Sequence, residues 1–218
     1  MAREKQETDC LARRIEEDCS LAACEFAGID FESAGTEQGS TEEAIQVGLG
    51  VFDGGDPEKV DCLFRSYLAP TKEVVWRAGE VHGIGPNDLI NAPPLRDIWP
   101  ELNLRLGGRV VVAHGVGTEK KFLRAFPMHG FAPWLDTLVL ARRTLPGLSD
   151  YSLASCCAAL GVIDEASALC AEVEEGMEWH DALFDTVACL LLLRSVISSL
   201  GLWDLPLSGL REMGVVSG

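Results

Sequence analysis

Asp30 and Glu32 stand two residues apart near the end of an apolar run that begins at Phe26. If that run is a β-strand, both carboxylates project from one face. Two like charges side by side in an apolar setting need cations or abundant water. The spacing therefore leaves two readings open, a divalent metal site or a solvated strand end. Asp185 sharpens the question. It lies in the run Ala182 to Leu193, whose only other polar side chain is Thr186, with no Lys or Arg within a turn. A carboxylate buried there unpaired costs on the order of several kcal/mol, so it requires a partner from elsewhere. His180 precedes it by five residues, which is about 140° around a helix. Both reach one site only if His180 sits at the helix entrance, where the chain can bend back.

Glu119 belongs to the segment Thr118 to Phe126, in which Glu119, Phe122 and Phe126 recur at i, i+3 and i+7 and share a helical face. Lys120, Lys121 and Arg124 point elsewhere. A Glu in a first helical turn also favours the helix dipole, which leaves a structural role open to it. Asp136 precedes a helical stretch, Leu138 to Thr144, and reads as an N-cap rather than as a further site carboxylate.

The elements that must carry these residues follow from periodicity. Phe26 to Glu32 reads as a first strand, and Ser33 to Thr41 as a polar loop. Ala44 to Phe52 alternates Ile45, Val47, Leu49 and Val51 against Gln46, Gly48 and Gly50, a second strand of period two. Asp53 to Pro57 makes a turn, and Val60 to Leu68 completes an antiparallel meander. Thr71 to Gly108 is helical and loop-rich, broken by prolines. Arg109 to His114 is a short β-branched run without alternation, which suits a strand covered on both faces in a parallel sheet. A short strand near Trp134 to Thr137, a helix from Tyr151 to Gly161 and a helix from His180 or Asp181 to about Leu200 complete the chain. The stretch Ala182 to Leu193 is too short for a bilayer, which needs about 20 residues, and reads as a core helix.

At 218 residues, 47% hydrophobic and 24% charged, the sequence supports one sizeable globular domain. The net charge of −16 excludes a protein that grips nucleic acid by a broad basic face. Any polyanion would be held locally, by metal ions, helix N-termini and a few Lys or Arg. Eight cysteines without a Cys-x-x-Cys pair suggest no zinc site, and reduced, mostly buried thiols in a cytoplasmic protein fit best. Met1 to Cys24 is charged and helix-compatible, with no apolar core of a secretory signal, and no membrane association is expected.

Taken in order, Asp30-Phe31-Glu32, Ala113-His114 with Glu119 ahead of Phe122-Leu123, and His180 with Asp185 resemble the motifs of the DEDDh exonucleases. These are the DnaQ-like 3′ to 5′ exonucleases of the ribonuclease H-like superfamily. His82-Gly83-Ile84, Asp136 to Arg143 and Tyr151-Ser152-Leu153 also resemble family positions, so the likeness runs from about Phe26 to Leu200. The resemblance implies an α/β fold with a central five-stranded mixed sheet, three antiparallel strands followed by two parallel ones, flanked by helices. It divides the chain into an N-terminal arm or helix (1–24), an exonuclease domain (25–200) and a C-terminal tail (201–218). It further implies that Asp30, Glu32, Glu119 and Asp185 gather around two divalent ions, Mg²⁺ or Mn²⁺, while His180 acts as general base on the attacking water. Two such ions supply a hydroxide-like nucleophile and offset charge on the leaving 3′ oxygen, and oxygen ligands suit them.

The chain departs from the family where His-Asn-x-x-Phe-Asp is common and His114-Gly115-Val116-Gly117-Thr118-Glu119 stands instead. Glu119 is one methylene longer, so its oxygens reach roughly 1.5 Å further. Gly115 and Gly117 loosen the preceding loop and permit a readjustment. Ser33-Ala34 replaces the usual Thr-Thr or Thr-x, and with Phe31 and His82 these residues are the expected contacts to the 3′-terminal nucleotide. The function implied is 3′ to 5′ hydrolysis of single-stranded DNA or RNA. The alternative is a nucleic-acid- or protein-binding module on the same fold, with catalysis weakened at Glu119. A polymerase partner and the oligomeric state are not legible in the sequence.

Overall fold

The computed structural model describes residues 18–36 and 42–218. Most of the proposed arm at 1–24 and the end of the Ser33 to Thr41 loop lie outside the described residues. Strands β1 (Glu25–Ser33), β2 (Ala44–Asp53) and β3 (Asp56–Tyr67) form the antiparallel meander. Helices α1 (Trp76–His82) and α2 (Trp99–Leu106) precede β4 (Val110–Ala113), and α3 (Gly117–Leu123) leads toward β5 (Trp134–Asp136). Then come α4 (Thr137–Thr144), α5 (Leu153–Leu160), α6 (Ile163–Ala171), the long α7 (Ala182–Ser199), α8 (Leu207–Glu212) and β6 (Val216–Ser217).

The sheet has six strands rather than five, in the order β3-β2-β1-β4-β5-β6. β4 lies parallel to both β1 and β5, as the non-alternating Val110-Val111-Val112 run predicts, and all four of its residues are buried. The sixth strand comes from residues assigned to a tail: Val216 and Ser217 pair antiparallel with Leu135 and Trp134. Two valines at the chain end supply β-propensity and apolar burial, but a two-residue strand offers no period to detect. The segment before β1 is also joined to this region, through Leu21 N–H to Leu205 O and Ala22 N–H to Trp203 O, both 2.9 Å.

Strand alternation distributes the sheet's side chains onto two apolar layers. Ile29, Phe31, Val47, Leu49, Val111 and Ala113 pack against α2 and α3. On the opposite face, Phe26, Phe52, Val110 and Val112 pack with α7. The second-strand positions that alternate with the aliphatic ones, Gln46, Gly48 and Gly50, are not solvated; α7 covers them. A Cβ on Gly48 would stand 2.1 Å from Ala182 O, and one on Gly28 would stand 2.8 Å from Leu190 Cγ. Glycine at these positions is what allows the helix to lie this close to β1 and β2.

Helix α7 is long and apolar enough to cross a membrane, yet 78% of it is buried inside the fold, which makes it the core helix expected from its sequence. The α3 helix stops at Leu123 rather than reaching Phe126. Arg124, Ala125 and Phe126 bond back to carbonyls three residues earlier, and Pro127 disfavours the α region for Phe126. Among the described cysteines, Cys19, Cys24, Cys156, Cys157, Cys170 and Cys189 are free thiols, whereas Cys62 is disulfide-bonded. The expectation of reduced thiols throughout therefore fails at Cys62, in a chain whose cysteine spacing carries no pairing signal.

Candidate active site

β1 delivers Asp30 and Glu32 onto the face that carries Gly28, so both side chains look toward α7. From α7 comes Asp185, four residues beyond the Asp181 N-cap. Its backbone N–H closes the first helical bond to Asp181 O at 3.0 Å. The chain bends at the helix entrance as required: His180 has φ +69°, and its ring is exposed. Glu32, His180 and Asp185 each offer a ligand atom, and these atoms lie within 4.8 Å of one another. Glu119 comes from α3 with only 4% of its surface exposed.

These carboxylates form one electrostatic group. Burial raises the Asp30 pKa well above the ordinary value, and Asp185, Glu119 and Glu32 raise it further. Burial, with Asp185 and Asp181, pushes Glu32 to about 8. Glu119 and Asp185 both rise to about 7, again chiefly through burial, with Asp136 adding to the first and Asp181 to the second. Two of the oxygens, Glu119 Oε2 and Asp185 Oδ1, are buried and accept no hydrogen bond. Buried polar atoms are rarely left so. Clustered carboxylates with orphaned oxygen acceptors suit hard divalent cations such as Mg²⁺ or Mn²⁺.

The other sequence-predicted residues take supporting positions. Phe31 is buried against Phe122, with ring centroids 5.3 Å apart, and Ala34 is buried beside Ile45 and Ile84. Ser33 donates to Glu42 Oε1 at 2.8 Å. His82 accepts from Ile84 N–H at Nδ1 and donates from Nε2 to Ser33 O, both 3.1 Å, which braces α1 against the end of β1. Burial, with a contribution from His180, keeps its pKa below the usual histidine value, in line with a neutral ring. Asp136 is the N-cap of α4, accepting from Leu138 and Val139 N–H, as its place before a helix predicts. It also accepts from Gly115 and Val116 N–H at 3.0 and 3.3 Å, so one carboxylate fixes both α4 and the loop that aims Glu119.

Sequence reasoning missed Gln46, Arg65 and Asp181. Gln46 is buried and donates to Asp181 Oδ2 at 3.0 Å while accepting from Ala182 N–H at 2.8 Å. Arg65 donates to the same Asp181 oxygen at 2.8 Å. The available signal was Gln46 itself, an amide in an otherwise apolar or glycine strand. Beside the cluster, an open cleft of about 380 Å³ is lined by Arg65, Val81, His82, Trp179 and Asp181. Another of about 790 Å³ is lined by Ala34, Gly35, Lys72, Trp76 and Arg77.

The sheet order, the buried α7 and the converging carboxylates define a ribonuclease H-like fold of the DnaQ-like exonuclease type. Residues 27–193 match the RNase_T family, described as Exonuclease, and the chain belongs to that family. It is 27% identical over 155 residues to the PolC-type DNA polymerase III of Thermotoga maritima, a match covering 69% of this chain and 11% of that protein. It is 25% identical over 173 residues to exodeoxyribonuclease 10 of Escherichia coli K12, covering 79% of this chain and 69% of the relative. The chain thus spans only about a tenth of the PolC-type relative. The fold also matches the nuclease domain of 3′hExo, a DEDDh family member bound to rAMP, with TM-score 0.63 at 15% identity, over 84% of this chain and 96% of that one.

Proposed function

We propose that this chain is a metal-dependent 3′ to 5′ exonuclease acting on single-stranded DNA or RNA. Asp30, Glu32, Glu119 and Asp185 hold two divalent ions, Mg²⁺ or Mn²⁺. The observation that carries this reading is the pair of orphaned carboxylate oxygens, Glu119 Oε2 on α3 and Asp185 Oδ1 on α7, buried in an electrostatic group with Asp30 and Glu32. When bound, the ions lower the pKa of water and offset charge on the scissile phosphate and the leaving oxygen.

The chain's own residues supply position and proton transfer. His180 is exposed at the rim of the cluster, within reach of the water side, and takes the proton of the attacking water as general base. β1 and α7 hold Glu32 and Asp185 rigidly because the glycines at 28 and 48 let helix and sheet interlock. Phe31, Ser33, Ala34 and His82 shape the end of β1 where the 3′-terminal nucleotide is received, chiefly through backbone and packing. Trp76, 71% exposed, stands with Lys72 and Arg77 on the neighbouring cleft and offers an aromatic face and two cations to a strand. This local grip is how a chain of net charge −16 engages a polyanion.

Single strands of DNA and of RNA, each labelled at the 5′ end or at the 3′ end, test direction and substrate together. A 3′ label released at once as a mononucleotide, with a 5′-labelled ladder that shortens gradually, supports the proposal. Early release of the 5′ label contradicts it, as does no cleavage of either nucleic acid.

A further inference from the structure

The turn that presents His180 is strapped to the sheet by a guanidinium. Arg65, on β3, donates through Nη1 to Asp181 Oδ2 at 2.8 Å and through Nη2 to Glu174 Oε2. These two carboxylates lie on either side of His180 in the chain, so Arg65 ties down both arms of its turn. The Arg65 and Asp181 side chains are 14% and 15% exposed, which strengthens their interaction relative to a surface pair. Gln46 adds a second tether from β2, bonding Asp181 Oδ2 and the Ala182 N–H. Asp181 Oδ1 caps the helix at Leu183 N–H. The guanidinium is itself steadied over the Tyr67 ring, 5.4 Å from its centroid.

Such strapping answers a cost in the backbone. His180 adopts φ +69°, a left-handed conformation that is strained for a non-glycine residue. Without outside support the turn relaxes, and an exposed ring on a relaxed turn leaves the 4.8 Å group it shares with Glu32 and Asp185. We infer that Arg65 is a positioning residue for His180, acting through Asp181 and Glu174 without touching substrate. This rests on the proposed role of His180 as general base.

The test is steady-state cleavage by Arg65→Lys, Arg65→Ala, His180→Ala and the double variant Arg65→Lys/His180→Ala, each first shown by its melting curve to be folded. Lys keeps the charge but cannot reach two carboxylates with one planar fork. In Arg65→Lys, kcat falls on the order of 10- to 100-fold, the range for a displaced catalytic group. KM stays within about 2-fold of the parent value, and the Mg²⁺-induced rise in Tm is retained, because the carboxylate cluster is intact. Added guanidinium ion partly restores kcat in Arg65→Ala, and Arg65→Lys has no further effect once His180 is Ala. An unchanged kcat in Arg65→Lys with His180→Ala impaired overturns this inference alone, as does a change confined to KM. A parent rate indifferent to His180→Ala overturns the base assignment and this inference with it.

Discussion

Glu32, at the end of β1, and Asp185, in the first turn of α7, bring carboxylate oxygens within 4.8 Å of each other across the sheet–helix interface. Burial raises the pKa of both acids, with Asp185 and Asp181 adding to the rise at Glu32 and Asp181 adding to that at Asp185. The fold thus concentrates negative charge at one place, and the two glycines that let α7 approach are part of the same device.

The first prediction concerns pH. Burial pushes Glu32 up to about 8, and Glu119 and Asp185 up to about 7, in the fold, against about 4 in an unfolded chain. The folded state therefore binds more protons across that interval, so the stability these groups contribute is complete below about pH 4 and is lost as pH rises through about 8. Glu42 and Glu43 have lowered pKa values and act with the opposite sign, below that window. Metal-free protein melts at a lower temperature at pH 8 than at pH 5.5 or so, and Asp185→Asn flattens the fall. A parent-minus-variant difference in Tm that is constant with pH contradicts this.

Charge removal gives the second. At pH 8 and without metal, Asp185→Asn removes a repelling charge and raises stability by about 1 kcal/mol, or roughly 2–4 °C in Tm for a domain of this size. With millimolar Mg²⁺ or Mn²⁺ the order reverses, because the parent gains stability by linkage and the variant gains less. Differential scanning fluorimetry reads both arms, and a variant stabilised equally by metal counts against Asp185 as a ligand.

How close α7 lies is the subject of the third. Gly48→Ala places a Cβ at 2.1 Å from Ala182 O and 2.4 Å from Leu183 N. Both are backbone atoms of the helix entrance, so the helix must shift. Overpacking of this kind costs about 1–3 kcal/mol, and cleavage falls more than stability does because His180 and Asp185 move together. Denaturant melts and rates on the same preparation check it; normal rate with normal stability refutes the close contact.

Position 119 separates an active enzyme from a weakened binding module. Glu119→Gln should abolish cleavage while preserving the fold, since the side chain keeps its length and loses its charge. Glu119→Asp should leave the rate within about 10-fold, because Gly115 and Gly117 let the α3 entrance readjust. If the parent is inactive and Glu119→Asp restores cleavage, the binding-module reading is the correct one.

Much of this arrangement was legible in residue order. The apolar run that ends in Asp30 and Glu32, the period-two run around Gly48, the uninterrupted valines of β4 and the lone acid in α7 each encode an element and its burial locally. What stayed hidden is what depends on contacts between distant segments. Arg65, Gln46 and Asp181 meet across sequence separations of 116 and 135 residues, and no spacing marks such a meeting in advance. β6 was hidden for a different reason, being too short to show a period. Asp136 was legible as an N-cap, but its second task of holding the Glu119 loop needed the parallel register of β4 and β5.

The most direct test of the metal-centred account is cleavage of a 5′-labelled single strand by the parent and by Asp30→Asn, with Mg²⁺, with Mn²⁺ and with a chelator. The account predicts a 3′-shortening ladder for the parent with either metal, none with chelator, and a rate at least about 100-fold lower for a folded Asp30→Asn. Parent cleavage that persists in chelator, or an Asp30→Asn variant as active as the parent, would contradict it.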